Sequence, residues 1–170
     1  MKQYDFKPVL LGVILALLAI LGGTLHGMSF GAKEESIKEH FKTTAGYHIA
    51  EHGSIENANK SIEDAWKYLK RAHEHFMGLG TAALALSIFA GLSPAAAAVK
   101  RVVSTAVGLG AVIYPSFWTL TAFKTAQIGG HAAKESLAIM AQAGAGLFFL
   151  GLLGTIGVAA GWALAKPKVY

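Results

Sequence analysis

Four runs of this 170-residue chain are nearly free of charge, and each is long enough to cross a bilayer. A helix needs about 20 apolar residues for a hydrocarbon core about 30 Å thick. The runs cover residues 8–30, 76–99, 102–123 and 136–165. In the first, only Thr24, His26 and Ser29 are polar, and in the last Gln142 is the one strongly polar side chain well inside. Lipid offers no water to satisfy a peptide group, so each run closes its own hydrogen bonds as a helix. The expected fold is an all-α integral membrane protein, a four-transmembrane-helix bundle forming a single membrane domain over residues 1–170. A partly helical extracytoplasmic loop, residues 31–75, joins helices 1 and 2 in this reading.

Local signals refine the plan. Pro8 suits a first helical turn, where its missing N–H is not needed. A secretory signal peptide with Lys2 and Lys7 as its basic start is the rival reading of the first run. No small-x-small cleavage site follows, so a retained helix is expected. Within the loop, Ile37 and Phe41 lie four apart among charges and predict a short amphipathic helix over Ala32 to Lys42. Thr43-Thr44-Ala45-Gly46 is expected to break it. Ser61-Ile62-Glu63-Asp64 reads as a capped helix start, followed by Ile62, Trp66, Leu69 and Phe76 at helical spacing. That helix should enter the membrane without a break, its first half in water. Ser93-Pro94 disturbs the exit of the second span, which Ala95 to Val99 extends or caps. Pro115 should kink the third.

The net charge of +5 raises the question of nucleic acid, but the distribution answers it. An even number of spans puts both termini and the Lys100-Arg101 turn on one side. Lys2, Lys7, Lys100, Arg101, Lys166 and Lys168 face Asp5 alone there, whereas the loop balances seven basic residues with eight acidic ones. By the positive-inside rule both termini are cytoplasmic, in a membrane of the bacterial inner type. The excess charge is a topology signal; the expected partner is the lipid bilayer, not nucleic acid.

The chain has no cysteine, which removes disulfides, iron–sulfur clusters and thiolate metal sites. Its seven histidines all fall on the loop side of the expected topology. His26 and His75 lie within or at the edge of apolar spans, where an ionisable group is a functional-site hypothesis by default. The leading expectation is haem b, held by His26 and His75 as axial ligands from facing helices, with His73 and His131 in reserve. Gly22, one turn before His26, and Gly78, one turn after His75, would leave room for a porphyrin. Arg71 and Lys70, with Lys134, would hold its propionates. Each ligand should also be oriented by a carbonyl or carboxylate on its second ring nitrogen. Four-helix membrane cytochromes b share this general plan as an architectural analogy, with no motif that maps residue by residue. The expected role is electron transfer at the outer face, linked to quinol, to a periplasmic redox protein or to a respiratory complex.

Two alternatives stand beside it. One is a bare zinc or copper site. His48 and His52 in His48-Ile49-Ala50-Glu51-His52 are one helical turn apart, the spacing two ligands of one ion need, and His26 and His75 are further donors. The same stretch matches the H-x-x-E-H pattern of inverted zinc peptidases, in a loop too small to support one. The other is a non-catalytic accessory subunit of a larger membrane complex or a homo-oligomer, packed through glycine and alanine faces such as Gly144-Ala145-Gly146. Tyr114, Trp118, Thr119 and Thr121 are candidates to line a quinone or cofactor cavity, against the plainer reading of core aromatics and self-bonded hydroxyls.

Overall fold

The structure, a computed structural model, describes residues 5–164. Lys2, Lys166 and Lys168, three of the charges that set the expected topology, lie outside the described residues. A 3-10 turn over Lys7–Val9 carries Pro8 and leads into α1, Leu10–Tyr47. Then come α2 (Ile49–His52), α3 (Ile55–Leu92), α4 (Ala97–Ile128), α5 (Gly130–Ser136) and α6 (Ala138–Leu164). The described residues contain four helices long and apolar enough to cross a membrane: α1, α3, α4 and α6.

The main departure from the sequence reading is the segment between the first two spans. Helix α1 does not end near Phe30. It continues to Tyr47, with a kink at Lys33 (φ −138°, ψ 20°) where the apolar run meets the charged one. At 38 residues it is about 57 Å long, roughly twice the hydrocarbon thickness. Thr43-Thr44-Ala45-Gly46 does not break it, because Phe41 and Ala45 are fully buried. Phe41 belongs to a cluster with Ala65 and Leu69 of α3 and Ala122 and Ala126 of α4. Tertiary burial outweighs the low helix propensity of the two threonines.

Helix α3 likewise starts earlier than Ser61. Gly53 takes a left-handed φ of 75°, which a side chain would strain, and turns the chain back. Ser54 then caps α3, its Oγ accepting from the Asn57 N–H at 3.1 Å. From there α3 runs unbroken through Arg71 to Leu92, its buried stripe including Ala58, Ser61, Ala65, Leu69, Ala72, Phe76, Gly80 and Ala83. It stops because Ser93 is extended (ψ 158°) before Pro94. Ala97 to Val99 therefore open α4 and do not extend the second span. Lys100 Nζ donates to the Gly91 carbonyl at 2.9 Å and so caps the end of α3.

Helix α4 is the centre of the molecule. It packs on α1, α3 and α6, whereas α6 lies along α4 and barely touches α3. Half of the apolar window of α4 is buried against 11% of that of α6. The approach is close because side chains are missing. A Cβ on Gly108 would meet the Gly12 carbonyl oxygen at 2.9 Å, and one on Gly12 would strike the Ser104 carbonyl. On the other flank, a Cβ on Gly110 would meet the Phe148 backbone nitrogen at 2.5 Å, and one on Gly144 the Tyr114 nitrogen at 2.6 Å. Helix α4 stays helical through Pro115.

This contact generates a matched pair of substitutions. Gly144→Val should push α6 away from α4 and cost about 1–3 kcal/mol, as overpacking does. Gly146→Val meets nothing within 4 Å and should leave the melting temperature of the detergent-solubilised protein unchanged. Circular dichroism on heating checks both.

Candidate functional site

The buried stripe of α3 fixes where its histidines point. Ala72 and Phe76 face the core, so His73 and His75, two apart on a helix, fall to opposite flanks of that stripe. His73 faces α1: its Nδ1–H donates to the Gly23 carbonyl at 2.8 Å, and its ring lies over Gly27, where a Cβ would be 3.0 Å from its Cε1. His75 faces α4, its ring 5.1 Å from Tyr114 and 6.4 Å from Trp118. Its Nδ1–H donates to the Arg71 carbonyl at 2.8 Å. On α1, His26 donates from Nδ1 to Gly22 at 2.8 Å, and its Nε2 lies 3.1 Å from Thr119 Oγ1 of α4.

His26 and His75 therefore occupy different interfaces, and the structure does not bring them together. The space beside Gly22 is filled by Phe76, whose Cε1 would be 3.2 Å from a Cβ there, and whose ring centroid is 5.3 Å from that of His26. Gly78 has no atom within 4 Å of a built Cβ. Met77 fills the gap beside Gly23. The rings of His26 and His73 both neighbour Phe30, with centroids 6.3 and 5.6 Å from its own. Of the cations, Arg71 lies over Trp118, its Cζ 4.6 Å from the ring centroid, and Lys134 sits 5.7 Å from the Tyr68 ring centroid. Lys70 is exposed on α3.

His48 and His52 do not converge either. Half-exposed His48 pairs with Glu51 at 3.2 Å. The Glu51 carboxyl is held below the usual carboxylate range, first by its own backbone N–H and then by His48. His52 is buried, 8% exposed, and ties the α2 turn to α4 by donating from Nε2 to the Ala126 carbonyl at 3.1 Å. That donation leaves Nδ1 to accept from the Ser61 hydroxyl at 3.3 Å. His131 is exposed on α5. Among the described residues no three His, Asp or Glu side chains are grouped to hold a metal ion.

Two cavities accompany these side chains. One, of about 250 Å³, has His26, Ser29 and Thr119 in an otherwise apolar lining of Leu25, Phe30, Ile37, Leu69 and Phe123. The other, of about 380 Å³, lies at the loop end around His52, Ser61, Tyr68, His131 and Lys134.

The wiring of His26 is chemically specific. With Nδ1–H committed to Gly22, neutral His26 presents Nε2 as an acceptor, and the Thr119 hydroxyl donates to it. In the imidazolium, Nε2–H donates to Thr119 Oγ1, and the hydroxyl turns to the Pro115 carbonyl 3.2 Å away. Both protonation states thus keep every polar hydrogen paired at the edge of an apolar span. Thr119 was legible as a cavity-lining residue; its pairing with His26 was not, because helix order in the bundle decides it.

The chain matches no protein-family model, no curated protein and no solved structure.

Side-chain ¹⁵N NMR on the histidines checks the wiring. Neutral His26, His73 and His75 should be the Nδ1–H tautomer, and His52 the Nε2–H tautomer. A rapidly averaging mixture at His26 would contradict the arrangement.

Proposed function

We propose that the protein is a membrane subunit that binds a quinone-type molecule at the loop-side edge of the bilayer, with His26 handling the proton that accompanies its redox change. The observation that carries this reading is the His26–Thr119 pair, hydrogen-bonded in both protonation states, on the wall of a cavity of about 250 Å³. Such a cavity suits a single ring, and its lining of Leu25, Phe30, Ile37, Leu69 and Phe123 suits an apolar body and tail. A quinone carbonyl would accept from the imidazolium Nε2–H. A quinol hydroxyl would donate its proton to neutral Nε2 while its electrons leave to a redox partner in a larger membrane complex. The lysine and arginine bias supports an orientation with this site at the outer face and both termini cytoplasmic.

Binding of a short-chain quinone, followed by quenching of tryptophan fluorescence in detergent, tests it. Binding should be saturable, and His26→Leu, which removes the group that meets the quinone oxygen, should weaken it about fivefold, roughly 1 kcal/mol for one hydrogen bond. Absence of saturation, or equal affinity in the variant, would overturn the reading.

A haem reading keeps one favourable observation, on His75 and not on the His26–His75 pair. Its Nδ1–H is anchored to a carbonyl, its Nε2 has no partner among the described residues, and Arg71 lies one helical turn away as a cation for a propionate. Haem bound there gives a Soret band that His75→Ala abolishes and His26→Ala leaves in place. A protein purified without that band, from cells supplied with haem, excludes it.

A further inference from the structure

Helices α1 and α4 touch at one end and stand apart at the other. A Cβ on Gly108 would lie 2.9 Å from the Gly12 carbonyl oxygen and 2.9 Å from the Leu15 Cβ, so there the two backbones are in contact. From Gly12 to His26 α1 rises about 21 Å, and at His26 the helices are spaced by an imidazole. Its Nε2 spans the gap to Thr119 Oγ1 at 3.1 Å. A pair of helices splayed in this way encloses a wedge, and the cavity of about 250 Å³ is its wide end.

The lipid-side edges of the wedge continue the apolar lining of the cavity. Leu25 of α1 and Thr119 and Phe123 of α4 line the cavity itself. Two helical turns before Leu25 on the same face stands Leu18, and two turns before Thr119 stands Val112. Leu25 and Leu18 are 53% and 52% exposed, so protein leaves this strip uncovered. Ser116, between Val112 and Thr119, gives its hydroxyl to the Val112 carbonyl at 2.7 Å and so leaves the strip apolar. The strip ends at Leu15, where the helices close.

A cavity of this size takes one ring, so the rest of a long quinone must leave it. One way out passes Ile37, beyond the kink at Lys33, into the charged half of α1. The other passes Leu25 into the strip and stays within the apolar span. A bilayer acyl chain fits the same strip, but a tail whose ring is held at His26 is delivered there at high effective concentration.

We propose that the strip along Leu25 and Leu18 carries an isoprenoid tail, which makes the substrate class a polyprenyl quinone and not a small water-soluble one. This rests on the quinone reading and deepens it.

The experiment extends fluorescence quenching in detergent to a tail-less benzoquinone and its prenyl, geranyl and farnesyl homologues. Each added unit should tighten binding about threefold, a gain from packing alone because the tail leaves detergent for protein. Leu18 lies about 12 Å along α1 from His26, within reach of the farnesyl tail. Leu18→Phe, which fills the strip, should therefore return the farnesyl homologue to the affinity of the geranyl one and leave the tail-less compound unaffected. Leu17→Phe, an exposed change on another face of α1, should alter neither. Partition into micelles is the same for all three proteins and cancels between them. Tail-less binding that His26→Leu weakens, with no gain from the tail or with equal farnesyl affinity in Leu18→Phe, would overturn the tail route and leave the quinone reading standing. No saturable binding of any homologue would overturn both.

Discussion

Close backbone contact along α4 is the constraint from which the other arrangements follow. Apolar helices gain little by leaving lipid for one another, so association rests on van der Waals contact, and missing side chains supply it. Gly12 and Gly108 let α1 reach α4 on one flank; Gly110 and Gly144 let α6 reach it on the other. With both neighbours seated at backbone distance, the rotation of α4 is fixed. Thr119 then faces α1 and meets His26, while Tyr114 and Trp118 face His75. The separation of the two histidines is thus a consequence of how α4 is gripped.

The three histidines near the apolar boundary share one local solution. Each gives its Nδ1–H to a carbonyl of a helix, Gly22 for His26, Gly23 for His73 and Arg71 for His75. A helical carbonyl already accepts one backbone bond but has a second lone pair. The ring donor is therefore satisfied without a partner brought from elsewhere, where an unpaired donor would be costly. This leaves Nε2 as the variable nitrogen: shared with Thr119 at His26, and without a partner among the described residues at His73 and His75.

What was legible in the sequence follows the same physics. The four spanning helices could be read because lipid tolerates so few polar residues that the runs stand out. The continuity of α3 from water into lipid was also legible, from Ile62, Trp66, Leu69 and Phe76 at helical spacing. The length of α1 was not. Residues 31–47 are polar overall, and their helicity depends on Phe41 finding Ala65, Leu69 and Ala126 on other helices and on the burial of Ala45. Depth of the histidines could be estimated from the sequence, but their azimuth could not. That depends on which helices are neighbours, and Phe76 stands beside Gly22.

His26 and His52 each combine a hydroxyl with a carbonyl, but in opposite wiring, and the difference decides what each can do. The carbonyl that holds His26 belongs to its own helix, so the ring stays oriented even if Thr119 withdraws. Its Nε2 can exchange a proton while Nδ1 remains fixed. The carbonyl that holds His52 is Ala126 of α4, and the ring therefore reports how the α2 turn is docked. Its Nδ1 is turned to Ser61 under Gly129, enclosed by protein. Proton exchange at His52 would disturb a clamp between elements, whereas at His26 it rearranges one hydroxyl. The residue suited to repeated proton transfer is the one at the lipid edge, and the one at the loop end is suited to hold the turn in place.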